Sequence, residues 1–123
     1  MPAQHTSWSA IPVESMNALL GRQFVNGANV TVARITLHKG AHVPLHSHIN
    51  EQVAYLLSGS LQFLLHENGS GAPREVILGE GELLVIPPNL PHEVFALEET
   101  INIDIFAPTR EDWTTGNDAY LRG

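Results

Sequence analysis

The sequence predicts an all-β domain built as a sandwich or barrel. Turn formers recur along the chain, at Gly27, Gly40, Gly59, Gly69/Gly71, Gly79/Gly81 and Pro87/Pro88, which is the punctuation of many short strands in a two-sheet or closed-sheet domain. The stretches between them are short and rich in Val, Ile and Leu. No segment carries the 3.6-residue apolar period of a long amphipathic helix.

The first twenty residues are the least legible. Trp8 and Ile11 suit an early strand, and Glu14 to Leu20 suits one or two helical turns. From residue 21 the pattern is β. Gln23–Val25 and Val30–Leu37 read as a hairpin, because Asn26-Gly27 suits the positive φ values of a tight primed turn. Lys39-Gly40 is a second turn. Val53–Leu57 and Leu61–Leu65 are strands joined through Ser58-Gly59-Ser60, and His66–Pro73 is a loop of turn formers. Glu75–Leu78, Leu83–Ile86, His92–Leu97 and Ile101–Phe106 are further strands. Thr109 is placed to cap a short helical turn, with Glu111 and Asp112 in its first turn, where the helix dipole favours acids. The tail after Gly116 reads as irregular. The whole, residues 1–123, is expected to be a single domain with a core barrel over about 21–108.

Composition narrows the function. Six basic residues against thirteen acidic ones give a net charge of −7. No basic stripe exists to neutralise phosphates, so nucleic acid is not an expected partner. The apolar runs are far shorter than the roughly 20 residues of a membrane-spanning helix, and the N-terminus lacks a basic start followed by an apolar core. Membrane is therefore not an expected partner either. Cysteine is absent, which removes disulfides, thiolate ligands and Cys nucleophiles. Together these point to a cytoplasmic protein in a reducing compartment. Histidine, by contrast, occurs seven times.

The histidines concentrate in Gly40-Ala-His-Val-Pro-Leu-His46-Ser-His48-Ile-Asn-Glu51-Gln52. Strand residues two apart share a face at about 6.5–7 Å. His46 and His48 can therefore converge on one ion at about 2.0–2.2 Å. The same alternation puts Gln52 on that face and Glu51 on the other, unless a bulge intervenes. His92, entering behind Pro87, Pro88 and Pro91, is the best third imidazole. His5, His38, His42 and His66 read as ordinary surface or loop residues, with His42 the one of the four most expected near the site.

Two spaced motifs carry a family resemblance. Gly40, His46, His48, Gln52 and Gly59 fit G-x5-H-x-H-x3-Q-x6-G, and Gly81, Pro87 and His92 fit G-x5-P-x4-H. From about Val30 to Trp113 the chain resembles the cupin superfamily. The resemblance implies an antiparallel jelly-roll β-barrel, here with a short N-terminal strand and a short C-terminal helical turn. It also implies a divalent transition metal held by three His and one acidic or amide residue, here His46, His48, Gln52 and His92. Gln52 stands where most cupins have Glu, and Asn89 where Gly is usual. With no carboxylate ligand the ion keeps its full charge, which favours an anionic partner in its open positions. Zn, Fe, Mn, Ni, Co and Cu all suit such donors.

Ile101 to Phe106 alternates strictly, with three isoleucines on one face and Asn102, Asp104 and Phe106 on the other. Either the isoleucines fill the core, or the polar face lines a metal-holding interior and the isoleucines lie outside. The second arrangement is favoured by a further resemblance. Asp104-x-Phe106-x3-Arg110 is similar to the tail of the pectin-degradation cupins, which linearise 4,5-unsaturated uronates and use three His and a Gln. That resemblance implies an isomerase-type enzyme with Asp104 as proton acceptor. Arg110 would be a bidentate partner of the substrate carboxylate, unless it makes only a surface salt bridge, and Phe106 an apolar wall. Arg34 is a second candidate anion contact, or else an outward-facing strand residue. Tyr55 and Trp8 read as packing residues. A metal-dependent dioxygenase and a non-catalytic sugar-sensing module are the competing functions. An isoleucine-rich outer face also predicts a homodimer, with Trp8 to Val13 as a pairing or exchange element.

Overall fold

A computed structural model describes residues 2–122. After a 3-10 turn at Trp8–Ala10 come β1 (Glu14–Asn17), β2 (Leu20–Asn26), β3 (Thr31–Leu37), β4 (His42–His46) and β5 (Glu51–Ser58). There follow β6 (Ser60–Leu65), β7 (Arg74–Gly79), β8 (Leu83–Ile86), β9 (His92–Ala96), β10 (Thr100–Ala107), α1 (Glu111–Thr114) and α2 (Ala119–Arg122). One sheet has the order β1-β2-β3-β10-β5-β8 and the other β4-β9-β6-β7. The paired strands run antiparallel, and from β3 onward the chain alternates between the two sheets except at the β6–β7 hairpin, as in a jelly roll. No helix among the described residues is long and apolar enough to cross a membrane.

The inner faces are set by strand alternation. β3 buries Thr31, Ala33, Ile35 and Leu37, and β6 buries Leu61, Phe63 and Leu65. β10 buries Thr100, Asn102, Asp104 and Phe106, while Ile105 stays exposed on the outer face. The strand therefore adopts the inverted arrangement, polar face inward. Gly59 is a positional requirement. Its φ is +97°, and a Cβ there would lie 2.4 Å from the Glu99 carbonyl and from Thr100 Oγ1, so the tight β5–β6 junction admits no side chain.

Five expectations about the chain are corrected. Glu14–Asn17 is a strand, not a helical turn, and Glu14 and Ser15 pair with Arg22 and Gly21 of β2 in the same chain. The segment at Trp8 is a 3-10 turn, and the carbonyls of Trp8 and Ile11 accept both amide N–H groups of Gln23. That turn covers the outer face of β2. The β2–β3 hairpin forms, but Asn26 pairs with Thr31 across a four-residue loop closed by Gly27 N–H to the Val30 carbonyl, and Gly27 is not among the positive-φ residues. Thr109 does not cap α1. Arg110 holds the cap position with no side-chain cap bond, because its guanidinium turns inward. The tail forms α2, fastened by Asp118, which is fully buried. Arg22 Nη1 lies 3.0 Å from Asp118 Oδ2 as an ion pair without an aligned hydrogen bond, and Arg122 Nε donates to Asp118 Oδ1 at 3.1 Å.

Candidate metal centre

His46 closes β4 and His92 opens β9, directly opposite each other in the antiparallel register. His48 lies beyond the strand end, in the loop before β5. β4 is irregular between Val43 and His46, so the convergence of the two His of H-x-H does not come from uninterrupted alternation. It comes from a strand end and a following turn. The turn is tied down: Asn89 N–H donates to the His48 carbonyl, and Asn50 Nδ2 donates to the carbonyls of Pro108 and Thr109. Asn89 itself has φ +64°. Asn tolerates this left-handed conformation, so it replaces the usual Gly of the motif without breaking the Pro87–Pro91 turn.

Each of the three histidines has a ring nitrogen within 4.8 Å of those of the other two. Each donates Nδ1–H to a backbone carbonyl two residues away: His46 to Pro44 at 2.7 Å, His48 to Asn50 at 3.0 Å and His92 to Leu90 at 2.8 Å. This repeated device fixes one tautomer and leaves each Nε2 lone pair free. His48 Nε2 is buried without a hydrogen-bond partner, an expensive state for a polar atom unless something binds it. Burial lowers His46 to about 3, assisted by His92, and lowers His48 to about 4, assisted by Arg110. It also lowers His92. All three rings are neutral at pH 7, the form that ligates. Gln52, on the inner face of β5, donates Nε2–H to Asp104 Oδ1 at 2.9 Å. Its Oε1 is thus the end of the amide left to serve an ion. The donor set fits a borderline divalent cation.

Asp104 and Phe106 follow along the inner face of β10. Asn102 Nδ2 donates to Asp104 Oδ1 at 2.8 Å, beside the bond from Gln52. The cross-strand neighbours of Asp104 are Ala33 and Ala54, both fully buried. Their small side chains leave space beside the carboxyl but surround it with hydrocarbon. Burial raises Asp104 to about 6, against the opposing pull of Asn102, Gln52 and the Arg110 charge. Phe106 packs edge-on to His48, with ring centroids 5.6 Å apart.

Arg110 is buried, at 2% exposure, and is no surface residue. Its fork is occupied within the chain: Nε and Nη2 donate to the two oxygens of Asp112 at 2.9 and 2.7 Å, and Nη2 also donates to the Tyr120 hydroxyl. Burial opposes its charge, but Asp112 and Tyr120 hold its pKa above the ordinary value. Its guanidinium lies over the Phe106 and Trp113 rings, 4.7 and 4.5 Å from their centroids. The edge expected to grip a ligand carboxylate is therefore taken by Asp112 in this conformation.

His46, Gln52, His92, Asn102, Asp104 and Arg110 line an interior cavity of about 60 Å³. A second depression of about 370 Å³ lies outside, by Ser47, His48, Asn50 and Asp112. Tyr120 lines both. Its ring stacks on His46 with centroids 4.7 Å apart, so this side chain borders both the inner space and the outer groove.

Two side chains take their outward-facing reading here. Arg34 is on the face of β3 opposite the buried Ala33 and Ile35 and donates to Gln23 Oε1 at 3.3 Å, away from the cavity. His42 faces outward, stacked on Phe95 and bonded to Glu93. Residues passed over by sequence reasoning are Arg22, Trp113 and Tyr120, all lining the cavity. Arg22 shares the inward face of β2 with Leu20, a parity signal that was available. Tyr120 comes from the tail and had none.

A protein-family description, Cupin domain, matches residues 33–105. No curated protein matches the sequence. Among solved structures, KdgF from a Halomonas species superposes with a TM-score of 0.75 at 21% identity, over 85% of this chain and 94% of that one. An RmlC-like cupin from Shewanella frigidimarina gives 0.76 at 26% identity, over 90% and 96%. Bacillus subtilis oxalate decarboxylase, studied for its Mn(II) centres, gives 0.76 at 24% identity over 85% of this chain. This chain spans 29% of that enzyme's length.

Proposed function

This chain belongs to the cupin domain family, and from that premise we propose that it opens the ring of a small sugar-derived anion, of the 4,5-unsaturated uronate class. His46, His48, His92 and Gln52 are the residues that would hold a divalent transition ion. When bound, the ion acts as a Lewis acid that orients and polarises the sugar oxygens.

The observation that carries this reading is the state of Asp104. Its Oδ1 is fixed by two amide donors, and among the described residues its Oδ2 receives no hydrogen bond. A carboxyl raised to about 6 is poised to take up and release a proton near neutral pH. The reaction is an isomerisation and balances without a co-reactant. Asp104 accepts the anomeric hydroxyl proton, and the bond from the anomeric carbon to the ring oxygen breaks. The electron pair passes to the ring oxygen as an enolate, and a proton returns to C4 to leave the ketone. Arg110, with Asp112 and Tyr120 as its resident partners, supplies the positive charge that favours an anionic substrate, and Phe106 walls the ring.

Metal-loaded protein incubated with unsaturated galacturonate should consume the enol absorbance well above the buffer rate. A rate equal to buffer, with one ion per chain verified, overturns the proposal.

The outer face of the larger sheet supports a homodimer as part of the same reading. Leu83 pairs across to Tyr55 and on to Ile103, and Val85 to Val53 and on to Ile105. These rows form an apolar surface in which Leu83 is 62% and Val85 58% exposed. Light scattering is expected to report about twice the 13.4 kDa chain mass. A 13 kDa particle at micromolar concentration excludes it.

A further inference from the structure

Asn102 lies one inward-facing position further along β10 than Asp104, away from the histidines. Its register partners are Ile35 and Leu56, whereas Gln52 pairs with Phe106 at the metal end. It is 3% exposed. Its Nδ2 is committed to Asp104 Oδ1 at 2.8 Å, and its Oδ1 is buried without a partner. That assignment of the amide is fixed by the Asp104 oxygen, which can only accept when ionised. An orphan acceptor in an apolar interior costs stability comparable to a lost hydrogen bond, and this one sits in the lining of the cavity that holds Asp104.

Two further acceptors therefore belong to neighbouring inward residues of β10 whose side chains are hydrogen-bonded to each other: Asp104 Oδ2 and Asn102 Oδ1. Neither has a donor among the described residues. Neighbouring unfilled acceptors complement neighbouring donors, and in a sugar the group that offers these is a vicinal diol. Resting on the ring-opening reading, in which Asp104 takes the anomeric hydroxyl, we infer that Asn102 is a substrate-binding residue. Its Oδ1 accepts a hydrogen bond from the hydroxyl on the carbon next to the anomeric centre. Asn102 thereby selects substrates that keep this hydroxyl over their 2-deoxy counterparts.

The test measures binding, not turnover. Metal-loaded protein is titrated by calorimetry with D-galacturonate and with 2-deoxy-D-galacturonate, neither of which has the C4–C5 double bond. Wild-type protein is expected to bind the deoxy sugar about ten-fold or more less tightly, because a buried acceptor is left unfilled. In Asn102→Leu the two sugars are expected to bind within about three-fold of each other. Asn102→Ala, which removes the same oxygen with less bulk, gives the same result if the leucine variant does not fold. A purely structural role for Asn102 would lower the melting temperature and leave the ratio of the two affinities unchanged. That result overturns the inference, as does equal binding of both sugars by wild-type protein, or no binding of galacturonate. If the affinity ratio collapses as expected while unsaturated galacturonate is not converted, the diol site stands and the ring-opening reaction falls.

Discussion

His92→Ala is expected to abolish stoichiometric retention of a divalent transition ion while leaving the barrel folded. His92 is the buried member of the three and faces His46 across the β4–β9 ladder, with ring centroids 4.2 Å apart. Its Nδ1–H is spent on the Leu90 carbonyl, so Nε2 has a ligand's role open to it and no other bond assigned. Loss of a mere orienting partner around a metal typically costs about 10–100-fold in affinity. Loss of a ligating imidazole, with only an amide as fourth donor, should cost more. Elemental analysis after dialysis against excess Zn or Mn gives the readout, with circular dichroism reporting the fold. His42→Ala is the control, since that ring stacks on Phe95 and pairs with Glu93 outside the barrel, and it should retain the ion in full. One ion per chain in His92→Ala at wild-type affinity removes the centre from this account.

The elements that were legible in the sequence are those set by local periodicity. β8 runs over Leu83–Ile86 as read, and β10 over Thr100–Ala107 extends the reading by one residue at each end. Gln52 is buried as expected, although the alternation that placed it there is interrupted by the turn between His46 and Glu51. What was not legible depends on long-range partners. Glu14 and Ser15 have no strong strand preference and are strand because β2 offers a free edge. The tail is helical because Asp118 finds Arg22 nearly a hundred residues earlier. Arg110 sits in a segment that reads as an exposed helix start, and Thr109 before it has the better capping side chain. The rings of Phe106 and Trp113 and the carboxylate of Asp112 draw its guanidinium inward instead. The interior polar face of β10 shows the same dependence. Alternation gave two opposite arrangements of equal regularity, and the histidines of the opposite sheet, with Gln52 beside β10 on β5, make the polar one the inner one.

Asp104→Asn is expected to lower kcat/KM for uronate opening by about 10²–10⁴-fold, the usual contribution of a positioned general base, and to raise stability at the same time. The amide is nearly isosteric, and its Oδ1 still accepts from Gln52 and Asn102, so the packing beside Ala33 and Ala54 is preserved. The stability gain follows from the sign of the shift. Burial raises Asp104 from 3.8 to about 6, so between those values the folded state binds a proton that the unfolded state has released. Its contribution to stability is complete below pH 3.8, declines as pH rises to about 6 and is a standing penalty above that. Two units correspond to about 3 kcal/mol, an order of magnitude that asparagine avoids because it has no proton to lose. Metal-free Asp104→Asn should therefore melt above metal-free wild type at pH 8, and the gap should close toward pH 4. His46, His48 and His92 titrate alike in both proteins and cancel in the difference. A gap that does not change with pH, or kcat/KM within ten-fold of wild type in the loaded enzyme, is incompatible with Asp104 as a buried base.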